Sequence, residues 1–402
     1  MISNADVVWV LVSVGLVMLM TPGLAIFYGG LVRNKNVLNT ILMSFIALGV
    51  ISLEWFILGY SMSFGKDMGG IIGGLNHFFL KGVGLSPSPD YGHTIPQALF
   101  MLFQMMFAII TPALISGAIV ERIKFSSYVA FILLWSIFVY NPLCHWVWGK
   151  GGWLARLGVI DFAGGIVVHI SAGISALAAA LVVGKRKGYP RAEFVPHNLP
   201  LAAIGAGLLW FGWFGFNGGS ALAANKIAVL AAANTHIAGA AAAVAWIVAE
   251  WLHMGKPSTL GIISGLVAGL ATITPASGFV PMWAALIIGL LAGGVSYFAV
   301  IVKVRMGFDD SLDAFSIHGI GGILGTLCLG LFAAYGAKGL FFGNPAQLGA
   351  QFMGAAVAVI YCGILTATIL KLIDVTIGLR PAEEDEVMGM DLTQHGEEGY
   401  KI

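Results

Sequence analysis

Charge is scarce in this chain of 402 residues: Asp, Glu, Lys and Arg together make up 10% of it, against 58% hydrophobic residues. A soluble domain carries about 25% charged residues. A chain this long, folded in water as two or three domains, would have too little charge to coat their surfaces. The mean hydropathy of +0.91 points to lipid as the solvent for most of the chain. Neither sign of charge dominates: Lys and Arg number 20, Asp and Glu 19, and a net charge of +1 offers no basic surplus for nucleic acid. Cysteine is scarce as well. Cys144, Cys328 and Cys362 are odd in number and lack Cys-x-x-Cys or Cys/His metal spacing, so they read as small apolar packing residues. No basic segment precedes the first apolar run. That run, Val7 to Leu31, is too long for the core of a signal peptide and reads as a retained first span.

Glycine is abundant, at 55 residues scattered through apolar segments. In membrane helices small residues let backbones approach closely. A bilayer span needs about 20 mostly apolar residues. Eleven such segments stand between polar punctuation, near 6–31, 40–63, 95–120, 125–142, 162–184, 199–217, 227–252, 258–275, 279–302, 314–334 and 348–377. The expected fold is an all-α polytopic membrane protein of eleven transmembrane helices. It divides into a transmembrane domain at 1–377 and a polar tail at 378–402. With the N-terminus outside, 14 Lys and Arg fall on the inner side, among them Arg33, Arg186, Lys371 and Lys401, and 6 on the outer. That bias predicts an N-out, C-in orientation. The tail, with Glu383 to Glu386 acidic throughout, reads either as a solvated disordered end or as a docking or gating element.

A weak repeat is visible. Asp161 and His169 are eight residues apart at the start of the fifth segment, and Asp310 and His318 are eight apart entering the tenth. Five spans per half is odd, so the halves would be inverted, as in many transporters, with the eleventh helix extra. Ionisable residues within a span usually face a pore or cavity, and each His lies about 12 Å along its helix from its Asp. Equivalent positions in inverted halves should meet near the bilayer midplane. Imidazole can relay protons because its unperturbed pKa is about 6.5. An apolar lumen favours the neutral form, and two neutral rings could share one N–H in a line. The plainer alternative is two core histidines, each bonded to a backbone carbonyl.

Other residues carry weaker signals. Phe103 and Phe107 share a face of the third span. Trp213 and Phe216 sit near the end of the sixth, which Gly218–Gly219 should close just before Ser220. Trp148 falls in the loop between the fourth and fifth. Aromatic faces attract cations and a hydroxyl can accept from ammonium, although spacing alone favours an interfacial aromatic belt. Asp161 could complement a helix dipole or shape an outer vestibule. Asp309, Asp310 and Asp313 cap the tenth span or line the inner mouth. Glu54 lies deep in the second span, Glu121–Arg122 looks like a local ion pair, and Lys185-Arg186-Lys187 reads as a topology anchor.

The stretch DFAGGIVVHISAGISALAAALVVGKR, Asp161 to Arg186, resembles the ammonium transporter signature over its whole length. The resemblance to this family, in its bacterial and archaeal form, extends through PGLAIFYGGLVRNKN, FQMMFAIITPALISGAIVER, HWVWGKGGWL, PHNLP, WFGWFGFNGGSA and DDSLDAFSIHGIGGILGT to the tail segment GLRPAEEDEVMGMDLTQHGEEGY. It implies a homotrimer in the cell's inner (plasma) membrane, with one pathway per protomer and no cofactor or metal. It implies ammonium recruitment at Phe107, Trp148 and Ser220, supported by Asp161, with Phe103 and Trp213 lining the vestibule. Phe107 and Phe216 would form a gate, and His169 and His318 the twin histidines of the lumen. The tail would support gating, and the inner face would receive a trimeric PII signal-transduction protein. The expected event is recruitment of ammonium (or its analogue methylammonium), deprotonation, and passage of ammonia with the proton relayed separately. The alternatives are an ammonia gas channel and an ammonium sensor signalling through the tail. No nucleotide, metal or nucleophile motif suggests an enzyme.

Overall fold

Backbone amides in hydrocarbon find no water, so a chain this apolar must satisfy them within helices. The computed structural model describes residues 1–400 and is almost wholly helical. Its helices are α1 (Asn4–Leu31), α2 (Asn34–Phe64), α3 (Gln97–Ile119), α4 (Phe125–Arg156), α5 (Gly165–Val183), α6 (Leu199–Gly219), α7 (Lys226–Met254), α8 (Thr259–Ile273), α9 (Met282–Arg305), α10 (Phe315–Phe332) and α11 (Pro345–Thr376). Among the described residues all but α8 are long and apolar enough to cross a bilayer. At 15 residues α8 rises about 22 Å and falls short of a full span. Its path is completed by the irregular turn before Pro281, where Asn234 Nδ2 of α7 donates to the carbonyls of Ser277 and Val280 at 2.8 Å. Irregular backbone at this depth is tolerated because a neighbouring helix satisfies it.

The fourth helix outruns its expected end. Asn141–Pro142 reads as a stop, yet a π-helical turn at Ser136–Tyr140 takes up the extra residue and Pro142 sits in the first turn of the next helical stretch, Asn141–Trp148. Pro needs no N–H bond there. Trp148 therefore ends that stretch, ahead of the last turn of α4 at Trp153–Arg156, rather than lying in a plain loop. Outside the helices, Asp67–Met68 (β1) and Ile72–Gly73 (β2) form an antiparallel hairpin, its turn made by Gly69 and Gly70 at φ +72° and +79°.

Helices pack through small residues. A Cβ at Gly205 of α6 would lie 2.3 Å from Phe27 N of α1, and one at Gly289 of α9 would lie 2.5 Å from Ala238 O of α7. Glu54 is buried between α2 and α4, where Asn141 Nδ2 donates to Oε1 at 2.8 Å and Ser136 Oγ to Oε2 at 3.0 Å. It lines none of the cavities described below.

The tail is folded onto one end of the bundle, not solvated and disordered. A short helix, α12 (Glu383–Met388), precedes a π-helical turn at Asp391–His395. Asp391 accepts from the amides of Leu38 and Asn39 at 3.0 and 2.8 Å, capping the start of α2. Arg380 pairs with Glu386, Lys187 with Glu383, and His197 bonds Tyr400. Lys401 lies outside the described residues.

The charged residues at this tail end differ from the sequence expectation. Glu121 does not pair with its neighbour Arg122. With φ at +71° the backbone turns the two side chains apart. Glu121 accepts from Arg33 Nε at 3.0 Å, Asn36 Nδ2 at 2.9 Å and Arg186 Nη1 at 2.9 Å. Arg122, fully buried, donates to the carbonyls of Ala118, Val120, Gly184 and Asp309. Arg186 is more than a topology anchor: it also pairs with Asp309 at 2.7 Å, and its guanidinium lies 3.9 Å above the Phe194 ring. Burial alone would raise the Glu121 and Asp309 carboxyls. The guanidiniums outweigh it and hold both below the ordinary carboxylate range.

Candidate functional site

The Asp/His repeat is a structural repeat. Asp161 Oδ1 accepts from the amides of Gly164 and Gly165 at 2.8 and 2.7 Å, and Oδ2 from Ile166 and Val167 at 2.7 and 3.1 Å. Its carboxylate is thus consumed in capping α5. Asp310 does the same for α10, accepting from Ala314 at 3.1 Å and Phe315 at 2.9 Å. Both caps open π-helical turns, Gly165–Ile170 and Phe315–Gly319, and each turn carries its histidine. The widened turn moves a side chain off the helical register. Four residues beyond each histidine stands a glycine, and the contacts are reciprocal. A Cβ at Gly173 would lie 2.0 Å from Gly319 N, and one at Gly322 would lie 2.9 Å from Ile170 N. Backbone thus packs on backbone where the two halves cross.

This crossing puts His169 and His318 side by side, with ring centroids 5.2 Å apart and planes within 15° of parallel. Both are buried. Neither nitrogen of His169 has a hydrogen-bond partner, nor has Nδ1 of His318. Core histidines tied to backbone carbonyls are therefore ruled out at His169. No hydrogen bond joins the two near-parallel rings here. Buried polar atoms left unpaired are costly and call for an explanation.

The pair borders a narrow lumen with room for about 10 Å³ of solvent, walled by apolar residues including Leu114, Val168, Leu209, Leu312 and Ile317. A space of roughly this size admits one water-sized molecule. Trp213 stacks on His169 at 5.6 Å and anchors its indole N–H on Thr274 at 2.9 Å. It lines the lumen, not the vestibule as expected. Tyr28 lines the far side and donates to Leu114 O at 3.1 Å.

Across the lumen's roof lies a second cavity, of about 170 Å³, bordered by Phe107, Trp148, Asp161, Ser220 and Gln104 with Phe64, Tyr91, Phe100, Phe162 and Leu222. Phe107 belongs to this cavity and Phe216 to the lumen, and their centroids are 4.4 Å apart at a 42° tilt. Both rings are 1% exposed, so together they separate the two spaces. The rings are tilted, not stacked in parallel. Phe103 packs on Phe107 at 5.0 Å but borders neither space. Trp148 stands edge-on to Phe107 at 6.0 Å and is aimed by its indole N–H, which donates to Asp161 O at 2.8 Å. Ser220 Oγ spends its proton on Phe216 O at 2.8 Å, leaving its lone pairs for a donor in the cavity. Gln104 Oε1 is buried with no partner. Sequence reasoning passed over Gln104, although it stands between Phe103 and Phe107 as the one amide on that apolar stretch. Tyr91 arrives with the long connection after α2 and Phe100 with the first turn of α3, and nothing local marks them.

The Ammonium Transporter Family profile matches residues 8–400. Ammonium transporter Amt1 of Archaeoglobus fulgidus is 49% identical over 99% of this chain and 100% of its own. The ammonium transporter of Bacillus subtilis is 47% identical over 98% of each chain. Among solved structures, Candida albicans Mep2 superposes with a TM-score of 0.91 at 36% identity, over 99% of this chain and 90% of that one. A chain described as Sensor Amt Protein gives 0.91 at 32% identity over 98% of both. With its two chambers, its histidine pair and these relatives, the chain belongs to the ammonium transporter family.

Proposed function

We propose that the protein moves ammonium across its membrane by recruiting the cation in the Trp148 chamber, removing a proton, and passing ammonia through the histidine-lined lumen. The observation that carries this is the pair of chambers closed from each other by Phe107 and Phe216 in contact. Ammonium is costly to dehydrate into apolar surroundings. In the larger chamber the faces of Phe107 and Trp148 attract it, and Ser220 Oγ and Gln104 Oε1 are placed to accept its N–H bonds. Asp161 acts at one remove, fixing the start of α5 and, through its carbonyl, the indole of Trp148. The lumen suits a neutral molecule of ammonia's size. There the unpaired nitrogens of His169 and His318 can accept from ammonia, donate to it, and take up a proton in turn. Potassium has no proton to give up and stops at the gate whatever its affinity for the chamber.

In this reading the tail face is cytoplasmic and the Trp148 face external, in the inner (plasma) membrane, as the basic residues near the tail support. The unit is a homotrimer. His236, exposed about 16 Å into α7 and stacked on Trp210 at 5.2 Å, supports this, since an imidazole at that depth needs cover. The 378–402 tail would be regulatory, with a PII protein as its cytoplasmic partner. A gas channel for ammonia would have little use for acceptors facing the Trp148 chamber. The tail's docking against the connections that lead into α2, α6 and, through Gln394 and Phe125 N, α4 favours a second reading, an ammonium sensor, which would bind the cation without carrying it.

The test is uptake into proteoliposomes. Saturable methylammonium uptake, competed by ammonium and not by potassium, and lost in His169→Ala/His318→Ala, is the expected result. Binding without uptake would transfer the case to the sensor.

A further inference from the structure

The residues of the Trp148 chamber are held by a segment that has no regular structure of its own. Between Gly158 and Gly164 the chain is neither helix nor strand, yet it carries Asp161 and Phe162 into the chamber wall. Three consecutive residues are each tied to a different element. Phe162 N donates to Pro275 O at 3.1 Å, in the turn after α8. Asp161 O accepts the indole N–H of Trp148 from α4. Ile160 is tied to α11, a helix that borders neither chamber. Its amide donates to Gln351 Oε1 at 2.9 Å, and its carbonyl accepts from Gln351 Nε2 at 2.8 Å. The side-chain amide thereby pairs with the backbone as a neighbouring strand would. One turn earlier, Gln347 Nε2 donates to Gly158 O at 2.9 Å and to Gln351 Oε1 at 3.2 Å. Gln351 is 0% exposed, so no solvent can replace it. Gly354, where a Cβ would lie 2.7 Å from Val159, lets α11 approach this closely.

We infer that Gln351 is a positioning residue for cation recruitment: its paired bonds to Ile160 set the Asp161 carbonyl that aims the Trp148 indole at the chamber. This rests on the recruitment reading above. Gln351 touches no chamber atom, so it acts only through the Ile160–Asp161–Trp148 connection. A residue that merely glued α11 to the bundle would change protein yield and maximal rate. A positioning residue changes the concentration at which the chamber fills.

The experiment measures initial methylammonium uptake against concentration in proteoliposomes, using the full chain as wild type, Gln351→Met, Trp148→Leu and the double variant. Gln351→Met preserves length and removes both bonds. Losing them should raise the half-saturating concentration about tenfold, with the maximal rate within about twofold of wild type. Trp148→Leu should raise it as well, and adding Gln351→Met to Trp148→Leu should raise it no further. An unchanged half-saturating concentration in Gln351→Met, or fold-changes that multiply in the double variant, overturns the inference. If Gln351→Met fails to fold, Gln351→Glu keeps the acceptor for the Ile160 amide and should give an intermediate rise; no rise overturns the inference. Should Trp148→Leu alone leave half-saturation unchanged, the recruitment reading falls, and this inference with it.

Discussion

Alanine at Gly173 should damage the protein more than alanine at Gly322, although the two positions are equivalents in the repeat. Each glycine stands four residues after its histidine and packs on the backbone of the other half. At Gly173 the added Cβ would lie 2.0 Å from Gly319 N and 2.3 Å from its Cα. Reaching ordinary contact at 3.4 Å needs a retreat of roughly 1.4 Å. The obstacle is backbone next to His318, so the π turn itself must move. At Gly322 the nearest atoms are Gly165 O and Ile170 N, both at 2.9 Å, and roughly 0.5 Å suffices. Overpacking a close-fitted core costs about 1–3 kcal/mol, and Gly173→Ala belongs at or above the top of that range. The larger shift displaces the backbone that carries His318, so the two imidazoles, 5.2 Å apart, should separate or turn. The assay pairs the thermal midpoint in detergent with uptake per folded molecule. Gly173→Ala should lose most uptake and drop the midpoint clearly, and Gly322→Ala should retain much of both. Equal effects, or the reverse order, would refute the packing argument.

Phe107→Ala should join the chamber to the lumen and weaken the discrimination against potassium, so that a potassium current appears where wild type has none; unaltered selectivity would exclude the gate. Glu121 and Asp309 have carboxyls held below their ordinary range. Their contribution to stability is therefore complete above the unfolded value of about 4 and is lost as pH falls through the lower folded values. Melting followed from pH 7 downward should stay flat until about 4 and then fall. Glu121→Gln, which leaves Arg33 and Arg186 short of a partner, should cost about 3–5 kcal/mol already at pH 7; a midpoint equal to wild type would show the cluster to be idle. Asp391→Ala removes the cap on Leu38 and Asn39, worth about 1 kcal/mol. It should expose the tail to limited proteolysis and alter the uptake rate while half-saturation stays the same; a tail still protected would mean Asp391 does not hold it.

Much of this was legible from the residues. The helices follow from apolar length, and eight-residue spacing was enough to find Asp161–His169 and Asp310–His318 as equivalents. What escaped reading depends on distant chain. Pro142 looks like a stop unless the π turn before it is known, and the sequence alone then places Trp148 in a loop. The α8 segment looks long enough because its apolar sequence continues, although Thr274 and Pro275 leave the helix for a turn that Asn234 satisfies. Glu121–Arg122 looks like an ion pair because neighbours in sequence suggest neighbours in space, and a positive φ sends them apart. Trp213 and Phe103 share the aromatic character of the chamber, but depth and facing, which spacing cannot supply, put one in the lumen and the other behind the gate. The tail's acidic run hid its partners, which come from three separate connections. Gln351 gave no signal, because its role is to pair with one residue of a loop 191 positions away.

Ammonia and its proton, if both cross by way of the lumen shared by His169 and His318, move one net charge per ammonium. An ammonium pulse applied to proteoliposomes on a capacitive electrode measures this directly, with potassium as control. The expected result is an inward positive current for ammonium, none for potassium, and loss of the current in His169→Ala/His318→Ala reconstituted at equal density. A current that persists undiminished in the double variant, or ammonia flux in wild type with no charge moved, would contradict it.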